Sequence, residues 1–322
     1  MKLVRRRFLH LLAGGAAMPV ASRAQTYPAR SVLIIAGFAA GGGVDISAHL
    51  IAQRLSEQLG QLFRVENRPG GNSNIATEAV VRAPPDGYTL LLINPANAIN
   101  AALYDKLNFN FIRDIAPVVG IIRLPLVMLV NRAVPAQTVP EFIAYAKTNP
   151  GRVKMASAGT GTPQHLSGEL FKLMAGVDMV HVRYPGVPPA LNDLADGKVH
   201  IIFASMPASI ERIRAGEIRP LAVTTPSRSD VLPEVPTVGE FVPGYESSSW
   251  YGVGAPKSTP SAIIDTLNKE INAALSDRKI KAQFAELGGT VLAGTPSEFG
   301  KVIADETEKW ARVVRFAGVS PE

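Results

Sequence analysis

Two glycine-rich stretches carry residue types that could hold a charged ligand. The first is Phe38-Ala39-Ala40-Gly41-Gly42-Gly43-Val44-Asp45. It follows the apolar run Val32-Leu33-Ile34-Ile35-Ala36, which suits a buried strand, and it precedes a helix-patterned segment that runs to Leu59. A strand that turns through glycines into a helix leaves backbone N–H groups without intrahelical partners, at the end where the helix dipole favours an anion. Three consecutive glycines put no side chain in the way of a ligand. Asp45 reads as the N-cap of this helix, with a general-base role as the alternative. The second stretch is Ser157-Ala158-Gly159-Thr160-Gly161-Thr162-Pro163-Gln164-His165-Leu166. It too follows a strand and opens a helix, with Thr162 as N-cap and Pro163 at the first helical position. The hydroxyls of Ser157, Thr160 and Thr162 add to the free amides expected there. One such stretch in each half of the chain fits a two-sided carboxylate site better than two unrelated turns.

Other chemistries are poorly supported. The second stretch lacks the third glycine of a dinucleotide fingerprint, and neither glycine stretch is followed by the Lys-Ser/Thr of a phosphate loop. His165, His181 and His200 have no helical ligand spacing and no accompanying carboxylate cluster, so no metal is expected. There is no Gly-x-Ser-x-Gly sequence and no cysteine, and Ser157 is not on a nucleophile elbow. No catalytic residue and no cofactor are expected; the chain reads as a binder, with an exported enzyme acting on a carboxylate as the less favoured alternative. Further polar candidates stand at strand ends. Asn94 opens the polar loop Asn94-Pro95-Ala96-Asn97 after the strand 88–93, at the sheet edge where ligands of open parallel sheets sit. Tyr184 either lines the site or is a structural tyrosine. Ser205 ends the next strand. His165 either contacts ligand or orients its loop through a hydrogen bond.

The elements that must position these residues form two α/β series. Residues 32–36, 63–67 and 88–93 read as strands alternating with helices, which implies a largely parallel sheet. After an apolar stretch at 118–130, interrupted by Arg123 and Pro125, a second series follows. Its helices are expected at 140–148, 164–175 and 187–195, and its strands at 153–156, 179–182, 200–204 and 220–224. A loop rich in proline and glycine covers 226–249. A return strand at 250–254 leads to helices at 260–275, 278–287 and 296–316. This gives an α/β, two-domain arrangement: a discontinuous first domain (25–124 and 250–322) that clasps a second (125–249), with crossings near 125 and 250.

The chain has 322 residues, 47% hydrophobic, enough for a large core. Its formal charge of +6 comes mostly from the first 24 residues. There, Arg5-Arg6-Arg7-Phe8-Leu9-His10 matches a twin-arginine pattern, residues 11–20 form a short apolar region, and Ser22-Arg23-Ala24 fits a small-x-small cleavage site. A signal peptide over 1–24, cleaved after Ala24, with export to the periplasm, is the expectation. Its removal lowers Lys+Arg from 33 to 28 against 27 Asp+Glu. The basic balance is therefore no argument for a nucleic-acid partner.

Taken together, these motifs resemble the Bug (TctC-like) family of periplasmic solute-binding receptors of tripartite tricarboxylate transporters. The carrying residues are the two glycine stretches, Asn67-Arg68-Pro69-Gly70-Gly71-Asn72, Ala83-Pro84-Pro85-Asp86-Gly87-Tyr88-Thr89-Leu90, Leu232-Pro233-Glu234-Val235-Pro236-Thr237 and Trp250-Tyr251-Gly252. The resemblance implies a type II periplasmic-binding-protein (Venus flytrap) fold with a ligand cleft between domains, and a monomer that captures a small di- or tricarboxylate. It implies delivery to membrane permease subunits (TctA/TctB-like), with a membrane sensor kinase as the alternative partner. Carried over, the contacts are residues 38–45 and 157–162, with His165, Tyr184 and Ser205 beside them. Val44 stands where many relatives carry Thr. The acidic residue that often follows the strand at Phe203 is missing, which disfavours a ligand bearing an ammonium group.

Overall fold

The structure, a computed structural model, describes residues 27–104 and 106–320. The expected leader lies outside the described residues. The chain runs β1 (Val32–Ala36), α1 (Gly43–Leu59), β2 (Phe63–Asn67), α2 (Asn74–Val81), β3 (Thr89–Ile93), α3 (Pro95–Leu103), α4 (Phe111–Asp114) and β4 (Ile115–Val130). It continues through α5 (Val139–Thr148), β5 (Lys154–Ser157), α6 (Pro163–Ala175), β6 (Val180–Arg183), α7 (Val187–Ala195), β7 (Ile201–Ser205), α8 (Met206–Arg214) and β8 (Arg219–Val223). It ends with β9 (Ser248–Pro256), α9 (Ser261–Ser276), α10 (Arg278–Glu286), β10 (Thr290–Val291) and α11 (Pro296–Ala317). Among the described residues no helix is long and apolar enough to cross a membrane.

Strand β4 belongs to two sheets. Its first part, 115–125, pairs antiparallel with β9, and Leu126–Val130 pairs instead with β7 and β8. One lobe therefore carries β2-β1-β3-β9-β4, with β10 on β4, and the other carries β4-β7-β5-β6, with β8 on β4. Pro125 is tolerated inside this strand because it stands where the partners change, so its missing N–H interrupts no continuous ladder. The buried Thr224 secures the switch. Its Oγ1 accepts from the Leu126 N–H at 2.9 Å, and its own N–H donates to the Leu126 carbonyl at 3.0 Å. The expected parallel series is present in both lobes: β1 lies between β2 and β3, and β5 between β6 and β7. The return strand is longer than expected and antiparallel to both β3 and β4, so the first sheet is mixed.

The parallel order puts the C-terminal ends of β1, β2 and β3 along one edge, and those of β5, β6 and β7 along another. Those are the edges that bear the sequence candidates. The largest core cluster crosses from Leu91 and Ile99 through Trp250 and Trp310 to Met155, Phe171 and Phe203. The long α11 packs on α3, β4 and α6, so it touches both lobes.

A charged network joins the two crossing segments to α11. Arg123 donates to Glu246 Oε1 at 3.1 Å and to Ser248 Oγ at 2.6 Å. Lys309 donates to Glu246 Oε2 at 2.9 Å and to Glu306 Oε1 at 2.6 Å, and the Trp310 indole donates to Glu306 Oε2 at 2.8 Å. Burial pushes the Glu246 carboxyl up, but Lys309, the Ser248 hydroxyl and Arg123 together hold it below the usual carboxylate value. A carboxyl depressed in the folded state stabilises fully above its unfolded pKa of about 4.3, and that contribution is lost as pH falls through the lower folded value. Lys309→Met should therefore raise the Glu246 pKa and shift the acid-unfolding midpoint upward. Circular dichroism during acid titration of both proteins checks this, and coincident curves would contradict it.

Candidate functional site

The first glycine stretch ends β1 and opens α1, but the cap differs from expectation. The N-cap is Gly42, with an extended backbone (φ −88°, ψ 170°) and no side chain to offer the first turn. Asp45 lies three residues further on. Its buried carboxylate reaches back, accepting from the Gly41 N–H at 2.8 Å and from the Asn67 amide at 2.9 Å. The Asn67 amide also donates to the Phe38 carbonyl at 2.9 Å. Asp45 thus fastens the loop to the end of β2 instead of capping the helix, because an uncapped glycine start leaves its charge free to satisfy Gly41 from within the first turn. Ala39, Ala40, Gly41 and Gly42 are exposed, and Gly43 is half-buried against Tyr251. The exposed loop 39–42 thus leads straight into an uncapped first turn, whose residues Val44 and Asp45 are buried, with the positive end of the helix dipole behind it.

Asn94 sits in a different environment from the expected polar loop. It is the N-cap of α3, in a reciprocal capping box with Asn97. Its Oδ1 accepts from the Ala96 N–H at 3.0 Å, its own N–H donates to Asn97 Oδ1 at 2.8 Å, and its amide donates to Ser73 Oγ at 3.3 Å. Asn97 donates in turn to Thr77 Oγ1 at 2.8 Å. Asn94, Asn97 and Ser73 are all buried, so Asn94 supports the edge from behind. Asn72 and Ser73 both have positive φ, 51° and 77°, which non-glycine residues seldom adopt. Gly37 is needed beside them, since a Cβ there would lie 1.8 Å from Ser73 Oγ.

The second glycine stretch is more closed than the free amides and hydroxyls expected of it. Thr162 caps α6 as foreseen, accepting from the His165 N–H at 3.4 Å. Its hydroxyl donates to the Gly159 carbonyl at 2.7 Å, and Ser157 Oγ does the same at 3.0 Å. The Gly159 N–H donates to Ser157 Oγ at 3.2 Å. The buried His165 takes the orienting role, its Nδ1 accepting from the Gly161 N–H at 3.1 Å. Its ring stacks on His181 at 3.7 Å, and His181 Nε2 is 2.6 Å from Ser157 Oγ. Glu169 stands 3.5 Å from His165 Nε2 and pairs with Lys172. Burial raises the Glu169 carboxyl, yet the hydrogen bonds from His165 and Lys172 bring it below its ordinary value. Thr160, His165, Glu169, Lys172 and His181 line a polar cavity of about 410 Å³ against residues 317–320. Ala158 and Thr160 are half-buried.

The weaker candidates fall on the same edge as this loop. The Tyr184 hydroxyl donates to Asp193 Oδ2 at 2.9 Å, and burial and this partner push its pKa up. It is thus tied to α7. Ser205 is the N-cap residue of α8, makes no side-chain cap, and is half-buried. Sequence reasoning did not single out Asn67, Asn97 or Asn100. The signal was available: Asn94, Asn97 and Asn100 recur every three residues in an otherwise apolar segment, which places three amides on one helix face. Among the described residues no group of three or more His, Cys, Asp or Glu could hold a metal.

A family model described as the tripartite tricarboxylate transporter family receptor matches residues 47–319. Protein BugT of Bordetella pertussis is 37% identical over 313 residues, spanning 96% of this chain and 95% of BugT. The solved structure of R. palustris Rpa4515 with adipate superposes with a TM-score of 0.85 at 39% identity, over 92% of this chain and all (100%) of that one. MatC from Rhodopseudomonas palustris with bound malate gives a TM-score of 0.80 at 28% identity, over 89% of this chain and 100% of its own. These matches extend through both lobes, and the fold is that of the two-domain periplasmic binding proteins. The chain belongs to the family of tripartite tricarboxylate transporter receptors.

Proposed function

We propose that this protein captures a small dicarboxylate between its two lobes and delivers it to the membrane subunits of a tripartite transporter. The carrying observation is the exposed, uncapped start of α1. Fixed amides there replace the hydration of a carboxylate without needing a cationic side chain. The adipate and malate named for the two structural relatives fit this chemistry. One carboxylate binds the amides of residues 42–45, beyond the Gly41 N–H that Asp45 already holds, and the loop 157–162 faces the other end of the ligand. Phe38, Ala39 and Ala40 set the apolar width between them. Binding closes residues 125–249 onto 25–124 and 250–322, with bending where β4 changes partners, and no covalent step is involved. The mature protein starts at Gln25 and works in the periplasm. Thermal-shift measurements on the mature chain with adipate, malate and citrate test the reading, since a ligand that binds only the folded state raises the melting temperature with its saturation. A response confined to sugars or cationic amino acids would overturn it.

A further inference from the structure

The second glycine loop is held by the opposite lobe as well as by its own. Asn72, on the loop after β2, donates from Nδ2 both to the Gly161 carbonyl at 3.0 Å and to Asn100 Oδ1 at 3.0 Å. Asn100, on α3, returns one bond, donating to the Asn72 carbonyl at 2.7 Å, and donates a second to Asn74 Oδ1 at 2.8 Å. The orientation of the Asn72 amide is determined by this arrangement. Turning it over would face its oxygen toward two acceptors, while its present Oδ1 is buried without a partner among the described residues. The cost of that orphan oxygen and of a positive φ is borne at the point where the chain reaches across to Gly161. Gly161 carries the complementary signature. Its φ is +71°, and a Cβ there would stand 2.3 Å from Leu103 Cδ2 of α3. Glycine at 161 is thus required by the approach of the other lobe as well as by the turn.

We propose that Asn72 is a positioning residue that latches the lobes together by grasping the Gly161 carbonyl, while His165 holds the Gly161 N–H from the other side. The loop is then aligned at both of its peptide faces only when the lobes are closed. The Asn72–Gly161 bond forms only when the lobes meet, so it favours the closed, binding-competent state over the open one and tightens binding by the population it adds. This inference rests on the two-lobed reading of the ligand site, but its primary test needs no ligand.

The chain has no cysteine, so Gln58→Cys on α1 and Glu211→Cys on α8 provide a unique pair of sites for spin labels. Pulsed electron resonance on the unliganded protein then reports the distance between lobes. Asn72→Gly removes the amide while easing the positive φ, so a purely conformational role predicts unchanged lobe distances. The latch instead predicts a broader, longer distance distribution at an unchanged melting temperature. Asn72→Asp, which keeps the size but presents oxygens to the Gly161 carbonyl, should show the same widening. Adipate binding to both variants should weaken about tenfold relative to the parent. Distributions identical to the parent in both variants would overturn the latch, and so would an open distribution in the parent itself. Loss of folding in both variants would assign Asn72 to the fold alone and equally reject the proposal. A parent that ignores adipate but shows the widening in its variants would reject the ligand, not the latch.

Discussion

Gly42→Phe is expected to abolish dicarboxylate binding while leaving the melting temperature within about 2 °C of the parent. The two effects separate because of where the position lies. Gly42 has an extended backbone that any residue adopts, and a Cβ there finds nothing nearer than the Ala39 carbonyl at 3.8 Å. The fold therefore accommodates the ring, but the ring occupies the space in front of the first-turn amides. A carboxylate displaced from those amides loses charge-assisted hydrogen bonds with no replacement. An affinity loss of at least ~100-fold, about 2.7 kcal/mol, follows. Isothermal titration with the best dicarboxylate of the thermal-shift panel measures it. Unchanged affinity would remove the start of α1 from the site. The neighbouring glycines make poorer tests. Gly41 has φ +84°, and a Cβ at Gly43 would stand 2.8 Å from the Tyr251 hydroxyl, so substitutions there mix strain with ligand exclusion.

Gly252→Ala should have the largest effect on stability, about 3 kcal/mol, lowering the melting temperature by roughly 6–12 °C. Gly252 lies in the middle of β9, opposite Gly120 of β4 and Ile93 of β3. A Cβ would stand 2.1 Å from Phe299 Cζ and 2.6 Å from the Val119 carbonyl oxygen. The ring could turn, but Phe299 also packs edge-on against the buried Trp250, and the carbonyl belongs to the β4–β9 ladder of the first lobe's sheet. Relief therefore requires displacing α11 or loosening β4 from β9. Urea unfolding of the two proteins decides the matter, and a loss below about 0.5 kcal/mol would show that α11 shifts freely. Phe299→Ala in the same background should recover part of the loss if the ring is the obstacle.

Much of the fold was legible because its determinants are local. Helix α7 has the bounds its pattern predicted, and Thr162-Pro163 opens α6 by the ordinary preferences for a cap and a first helical residue. The glycine runs marked both turns, and the apolar runs marked β1, β3 and β5. Departures cluster where a residue's partner is distant in sequence. Asp45 looked like a cap because its type suits one, yet its second oxygen is claimed by Asn67, on another strand. Asn94-Pro95 looked like a loop because asparagines and proline favour turns. The helix that starts there buries its amides against Ser73 and Thr77, which adjoin it only in the folded chain. Helix α8 begins directly at the end of β7 and was not foreseen, its start merged with the strand end at Ser205.

The site divides the same way. That two glycine turns stand at the ends of strands, each opening a helix, follows from residue order, because strand, turn and helix preferences act over a few residues. How many of their amides remain open does not. The first turn has no side-chain cap because Gly42 has no side chain to offer, whereas the second satisfies itself through Ser157, Thr162 and His165. Hydrogen-bond partners are assigned by three-dimensional proximity, which residue order leaves undetermined. The Asn72–Gly161 bond is the plainest case. It joins positions 89 residues apart, and it exists only because two lobes that share the strand β4 fold back onto one another.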